Sequence, residues 1–317
     1  MNTEKRRSAG VLPPFAGINT FLKLKHTRDR EILTRCDFAV VGLPFDTAVT
    51  YRPGARFGPS AIREISGLLR TYNPAVGVAP LEVLSGIDYG DSPVVAGNTE
   101  KSLELIEETV SVLCDCDVIP VCLGGDHLAT LPVLRALSRK HGRLGLVHFD
   151  SHSDTSTMVY GEKYNHATPF LRADEEGLID PDRSIQVGLR GSVSDPEGIR
   201  KARDRGYTIV DAPAMLDMPP AEVTRLINDT VAGGPVYITF DIDFVDPAHA
   251  PGTGTPEIGG PDTALTLSYI RALDFSRVVG FDLVEVLPAM DVSQVTALAA
   301  ANILYEMISV LATTDRA

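Results

Sequence analysis

Three short clusters in this chain of 317 residues combine the side chains that bind metals and move protons. They are Gly124-Gly125-Asp126-His127, Asp150-Ser151-His152-Ser153-Asp154 and Asp241-Ile242-Asp243. Each follows an apolar run: Val118–Leu123, Leu144–Phe149 and Val236–Phe240. Residues i, i+2 and i+4 of an extended chain share one face, so Asp150, His152 and Asp154 are expected to point one way. Asp241 and Asp243 should do the same. In a parallel sheet the three clusters leave from one edge, beyond the carboxyl ends of the strands. Four carboxylates and two imidazoles then meet without a local cation, which is costly unless metal ions fill the centre. Asp126 or His127 alone reads as turn chemistry after a Gly pair, Asp154 alone as a helix cap, and Asp246-Pro247 as an ordinary turn. The joint pattern has few structural explanations.

Six ligands exceed the needs of one tetrahedral zinc, and carboxylates can bridge two ions. An oxygen-rich set with one His per ion favours two Mn²⁺ over zinc. A pair about 3.5–4 Å apart would turn a shared water into hydroxide at neutral pH. Other chemistries lack their marks. There is no Gly-x-Ser-x-Gly elbow, Gly-Lys-[Ser/Thr] loop, His-Glu-x-x-His or strand-linked Gly-x-Gly-x-x-Gly. Pro251-Gly252-Thr253-Gly254-Thr255-Pro256 reads as an active-site loop made of tight turns.

The elements that must position these residues follow from the apolar pattern. Further strands are expected at Phe38–Gly42, Ile185–Leu189, Tyr207–Val210 and Val278–Val284, all near-continuous apolar runs suited to a sheet buried on both faces. Helices are expected at Leu103–Leu113, Thr130–Arg139, Ala221–Val231, Ala264–Leu273 and Val295–Leu311. Asn98 or Thr99 can cap the first, and Pro219-Pro220 marks a helix start. The alternation predicts one α/β domain over 36–317, a three-layer α/β/α sandwich with a mainly parallel sheet. Residues 1–35 form an N-terminal arm with a short helix.

Composition narrows the partners. With 29 Lys+Arg against 42 Asp+Glu the net charge is −13, which disfavours nucleic acid and anionic membranes and suits cations. Glu4-Lys5-Arg6-Arg7 begins like a signal peptide, but Pro13-Pro14 interrupts it. Val295–Ala312 holds Asn302, Glu306 and Ser309 and reads as a buried helix rather than a span. Cys36, Cys114, Cys116 and Cys122 are too few for a disulfide framework. They read as reduced thiols in a cytoplasmic protein.

The chain resembles the ureohydrolase family of arginase, agmatinase and the guanidino-acid hydrolases. The likeness runs from Arg52-Pro53-Gly54-Ala55-Arg56-Phe57-Gly58-Pro59 to Asn302-Ile303-Leu304-Tyr305-Glu306-Met307. It is most specific at Gly124–His127, Asp150–Asp154, Asp241–Asp243 and Ala250–Glu257. Gly161-Glu162-Lys163 and the uninterrupted Gly-Thr-Gly-Thr-Pro favour the agmatinase and guanidinobutyrase branch. The resemblance implies one ion on His127, Asp150, Asp154 and Asp241, and a second on His152, Asp150, Asp241 and Asp243. It implies that His166 shuttles a proton, that Glu285 orients a guanidinium, and that Asp154 steadies the tetrahedral intermediate. It also implies urea and an amine as products, and a trimer or hexamer as the assembly.

The sequence departs from the family pattern at Ala167, Leu287, Gln294 and Ser156, where glycine, a hydroxyl residue, glycine and asparagine are usual. These changes leave the reaction type and open the substrate: agmatine, or a guanidino acid such as 4-guanidinobutyrate. An alkylated guanidine or biguanide, with Ni²⁺ and a sister subunit, is the alternative. A deacetylase-like metallohydrolase and a catalytically silent subunit are rival readings; Glu285 opposes the first and the complete ligand set the second.

Overall fold

A computed structural model of the chain describes residues 13–315, so the Glu4–Arg7 run lies outside the described residues. The apolar runs become strands of one eight-stranded sheet: β1 (Phe38–Gly42), β2 (Gly86–Asp91), β3 (Ile119–Leu123), β4 (Leu144–Phe149), β5 (Ile179–Leu189), β6 (Thr208–Asp211), β7 (Val236–Asp241) and β8 (Val278–Val284). Their spatial order is β2-β1-β3-β8-β7-β4-β5-β6, and every pairing is parallel. The three strands that lead into the clusters, with β8, therefore form the centre of the sheet. Parallel pairing sends all four carboxyl ends to one edge.

Strand side chains alternate between two cores. Val121, Val147, Ile238 and Phe281 face one apolar cluster shared with helices Gly58–Ser66, Pro220–Val231, Thr263–Arg271 and Val295–Leu311. Cys122, Leu146 and Tyr237 face a second cluster with helices Thr99–Asp115 and Thr130–His141. This is a three-layer α/β/α sandwich, as expected. Asn98 caps the Thr99 helix through Lys101 N, and Pro220 opens its helix at a position where the missing N–H costs nothing. Among the described residues no helix is long and apolar enough to cross a membrane.

Two sequence expectations need correction. β2 was not expected, because Gly86-Ile87-Asp88-Tyr89-Gly90-Asp91 is an edge strand with alternate polar positions. Its Asp88 takes the fork of Arg63 at 2.9 and 3.0 Å and the backbone N–H of Phe21 at 2.8 Å, tying the N-terminal segment to the sheet. β5 begins at Ile179 rather than Ile185, since Asp180, Asp182 and Arg183 hid the first half of the strand.

Candidate metal centre and active site

The clusters converge, but not by extended geometry. β4 ends at Phe149, and Asp150 Oδ1 accepts from the N–H of His152 at 2.6 Å. Asp241 Oδ1 accepts from Asp243 N at 2.8 Å, and Asp126 Oδ1 from Leu128 N at 3.0 Å. Each strand thus leaves the sheet through the same Asp-centred turn, in which the side chain binds the amide two residues on. Asp154 then takes a left-handed φ of +50°, which returns its carboxylate to the centre. β4 and β7 pair Phe149 with Phe240, so Asp150 and Asp241 stand side by side one residue further on.

His127 is fully buried, and its Nδ1 faces three carboxylate oxygens: Asp154 Oδ2 at 3.0 Å, Asp150 Oδ2 at 3.1 Å and Asp241 Oδ2 at 3.3 Å. His152 Nδ1 lies 3.0 Å from Asp243 Oδ2 and 3.5 Å from Asp150 Oδ1. Asp150 therefore offers one oxygen to each group. All six ligand candidates read from the sequence are brought together. His127 Nδ1 and Asp243 Oδ2 are buried with no well-formed hydrogen bond, as atoms reserved for a cation would be.

Electrostatics give the same answer. Burial, with Asp243 and Asp150 alongside, pushes Asp241 well above the ordinary carboxylate range, and burial beside Asp150 raises Asp243. Burial opposes charge on His127 and His152, yet their carboxylate neighbours overcome it and hold both well above the usual imidazole value. Burial also opposes charge on Asp150, but His148, His127 and His152 outweigh it and keep that carboxyl well below its usual range. Without cations the cluster retains protons. These residues suit a divalent-metal centre.

A pH prediction follows from the signs. Asp241, Asp243, His127 and His152 have folded pKa values above their unfolded ones, so their contribution to stability is lost as pH rises. Asp150 opposes them only in acid. Divalent ions replace the protons, so the rise in Tm on adding Mn²⁺ should be larger at pH 8 than at pH 6. Differential scanning calorimetry checks this; an equal or smaller rise at pH 8 contradicts it.

Glu285, the residue after β8, is 1% exposed with φ +63°. Its Oε1 accepts from His127 N at 3.0 Å and meets His166 Nδ1 at 2.8 Å, while Oε2 has no partner. A free, buried carboxylate oxygen invites a cationic donor. Burial would lower the pKa of His166, but the charge of Glu285, with Asp154 and Asp126 behind it, raises it to about 9. Thr50 approaches the other nitrogen, its N–H at 3.1 Å and hydroxyl at 2.8 Å from Nε2. The Thr50 amide can donate only to an unprotonated Nε2 and so favours a neutral ring, while the carboxylate at Nδ1 favours a charged one.

The sequence reading missed a row of polar residues beneath the ligands. Gln186, His148, Thr239, Asp282 and Cys122 are paired in register across β5, β4, β7, β8 and β3. His148 and Thr239 lie two residues before Asp150 and Asp241, on the same face. His148 Nε2 is 2.7 Å from Asp150 Oδ2. Gln186 Nε2 donates to Ser153 O at 2.6 Å and to His148 Nδ1 at 3.0 Å, which leaves the imidazole proton on Nε2. His148 thus orients Asp150 and has no free lone pair for a metal. A buried histidine inside an otherwise apolar strand was the available signal.

The ligands border a cleft of about 620 Å³. Its floor includes His152, Asp154, Asp241 and His166; its walls include Thr155, Ser156, Thr157, Met158, Ala167, Arg190, Ser192, Ser194, Lys201 and Arg205. Ser156 and Ala167 thus face the cleft. Leu287 is fully buried beside Gly54 and Gly254 and does not line it. Glu162 and Lys163 are likewise outside its lining. Gln294 has φ +58°, which accounts for the usual glycine there. In the Pro251–Pro256 loop, Gly254 passes Glu285: a Cβ on it would lie 3.7 Å from Oε2.

Gly125 permits the closest approach. A Cβ there would fall 1.8 Å from the carbonyl oxygen of Phe45, and the Gly125 carbonyl accepts from Glu285 N at 2.8 Å. Gly125→Ala should therefore cost about 1–3 kcal/mol or more by overpacking and displace His127 and Glu285 together. Urea denaturation should show a lowered midpoint; an unchanged one contradicts the contact.

Residues 36–309 match the arginase family. The chain belongs to that family. Over 98% of its length it is 42% identical to the guanidinobutyrase of Pseudomonas aeruginosa, covering 97% of that protein. It is 43% identical to the mitochondrial agmatinase of Gallus gallus, covering 97% of this chain and 92% of that one. Among solved structures, a hypothetical agmatinase from Burkholderia thailandensis is 38% identical with a TM-score of 0.88, over 96% of this chain and 94% of its own. Proclavaminate amidinohydrolase from Streptomyces clavuligerus gives 0.89 at 36% identity, over 96% and 100%. The arginase-family fold accordingly spans the sheet and all three clusters.

Proposed function

We propose that this arginase-family chain is a binuclear amidinohydrolase that converts the guanidino group of a small guanidino compound to urea and an amine. The observation that carries the reading is the cation-demanding cluster beside the free Oε2 of buried Glu285. One ion would be held by His127, Asp150, Asp154 and Asp241, the other by His152, Asp150, Asp241 and Asp243. The oxygen-rich set favours Mn²⁺, with Ni²⁺ the alternative. When bound, such ions acidify water and supply hydroxide near neutral pH.

The protein's own residues do the rest. A guanidinium is a planar, permanently charged fork of N–H donors, and Glu285 Oε2 grips it through charge-assisted hydrogen bonds. Addition of hydroxide to the guanidinium carbon makes that carbon tetrahedral, and Asp154 steadies it. The C–N bond to the tail then breaks, His166 supplies a proton to the departing amine, and the added hydroxyl releases its proton as the C=O of urea forms. Of the wall cations, Lys201 pairs with Asp195 and Arg205 with Asp174, whereas the guanidinium of Arg190 meets only backbone carbonyls and so favours a carboxylate tail. We therefore place a guanidino acid such as 4-guanidinobutyrate ahead of agmatine. By resemblance to the family we place the chain in the cytoplasm as a homo-oligomer.

Urea release tests this. 4-Guanidinobutyrate should show a higher kcat/KM than agmatine with Mn²⁺. The reverse order would overturn the tail assignment alone. His166→Ala should retain both metals and lose about 10²–10⁴-fold in kcat, the usual range for a general acid. Full turnover in that variant would remove His166 from the mechanism.

A further inference from the structure

Asp282 is a fully buried carboxylate in the middle of β8 that the reaction above does not use. It meets three hydroxyls: Thr130 Oγ1 and Tyr237 Oη at 2.7 Å on Oδ2, and Thr239 Oγ1 at 2.6 Å on Oδ1. Among the described residues, no Lys, Arg or His forms an ion pair with it. Burying an ion without a countercharge is expensive, and hydroxyl donors only partly offset that cost. Core packing alone gives no reason for a charge here.

The hydroxyl of Thr239 supplies one. It has a single hydrogen, which it donates to Asp282. Its oxygen lies 2.9 Å from His127 Nε2 and can only accept there. His127 must then keep a proton on Nε2, so Nδ1, which faces Asp150, Asp154 and Asp241, is the nitrogen whose proton a cation would replace. Register fixes the chain of contacts, since Thr239 on β7 pairs with Asp282 on β8. The ring is held on its flank by Phe170, edge-on with centroids 5.1 Å apart. His152 differs: its side chain is 32% exposed, and among the described residues no side chain hydrogen-bonds its Nε2.

We propose that Asp282, acting through Thr239, is the positioning residue of His127. It sets the tautomer and orientation that let Nδ1 bind a cation. This extends the reading of His127 as a metal ligand and rests on it. The buried charge of Asp282 then has a counterpart across the imidazole, in the ion that Nδ1 would hold. Partners of this kind change metal affinity by about 10–100-fold in metalloproteins generally.

The test is calorimetric titration of metal-free protein with Mn²⁺, a binding readout independent of turnover. Thr239→Val should weaken one of two Mn²⁺ binding events by about 10–100-fold and spare the other. Thr239→Ser, which keeps the hydroxyl, should restore it. Thr130→Val removes a different hydroxyl from the same carboxylate and should change neither event by more than about twofold. If Thr239→Val binds both ions as the wild type does, or Thr130→Val weakens binding equally, the relay is wrong and Asp282 serves only the core. Asp282→Asn should match Thr239→Val; if it fails to fold, the threonine variants still decide. A wild-type protein that binds no Mn²⁺ would overturn the metal reading itself.

Discussion

Asp150→Asn should abolish urea release and bind at most one divalent ion weakly, while the fold survives. Asp150 is the carboxylate that reaches both groups, Oδ2 toward His127 and Oδ1 toward His152. The amide keeps the shape of the side chain but removes the charge, and it turns one ligand oxygen into an N–H₂ donor. A divalent ion contributes several kcal/mol of charge stabilisation, and about 1.4 kcal/mol is tenfold in rate. The expected loss is therefore at least on the order of a thousandfold. The apoprotein should lose some stability, because His148, His127 and His152 favour the charge on Asp150, but the sheet and its two apolar cores should still hold the fold. Metal analysis after desalting, together with circular dichroism, separates these effects. Two tightly bound ions and wild-type turnover in this variant would refute the role of Asp150.

Glu285→Gln should be nearly as damaging, through two separate losses. The first is the grip on the guanidinium, where a charge-assisted bond of about 1.5–3 kcal/mol becomes a neutral contact. The second is the charge state of His166. Its pKa of about 9 exists because Glu285 overcomes the effect of burial. With glutamine in place, burial is opposed only by the more distant Asp154 and Asp126, and the pKa of His166 falls. The sign is unambiguous: a folded pKa raised above the unfolded value is stabilising at low pH and is lost as pH passes through about 9. Removing Glu285 shifts that midpoint down. Together these changes should lower kcat/KM by about 10²–10³-fold and move the alkaline limb of the pH profile toward neutrality. A pure loss of binding would raise KM and leave the pH profile in place. NMR titration of His166 provides the independent check, and an unchanged pKa would contradict the coupling.

The six ligand candidates were legible in the sequence because each sits just past an apolar run, where strand patterning and residue type can be read together. The sheet order was not legible. His127 and Asp241 belong to β3 and β7, which β8 separates, and that arrangement depends on contacts between distant parts of the chain. The same holds for the polar row. Thr239 and Asp282 pass as interruptions of Val236–Phe240 and Val278–Val284 until the strands are placed side by side. His166 and Glu285 were named only through family likeness. Their mutual 2.8 Å contact required the loop carrying His166 and the end of β8 to meet in space. Local geometry also differed from the expectation: Asp-centred turns, rather than continued strands, carry the ligands inward. The Asp-x-His and Asp-x-Asp spacing suits both, because the turn and the strand each relate residues i and i+2.

The account is tested most directly by following urea release while Mn²⁺ is titrated into metal-free protein supplied with 4-guanidinobutyrate, agmatine and other guanidino compounds. It predicts urea from at least one of them, rising to a plateau at two ions per chain. A plateau at one ion would contradict the binuclear centre, and no urea from any guanidine, with either Mn²⁺ or Ni²⁺, would contradict the function.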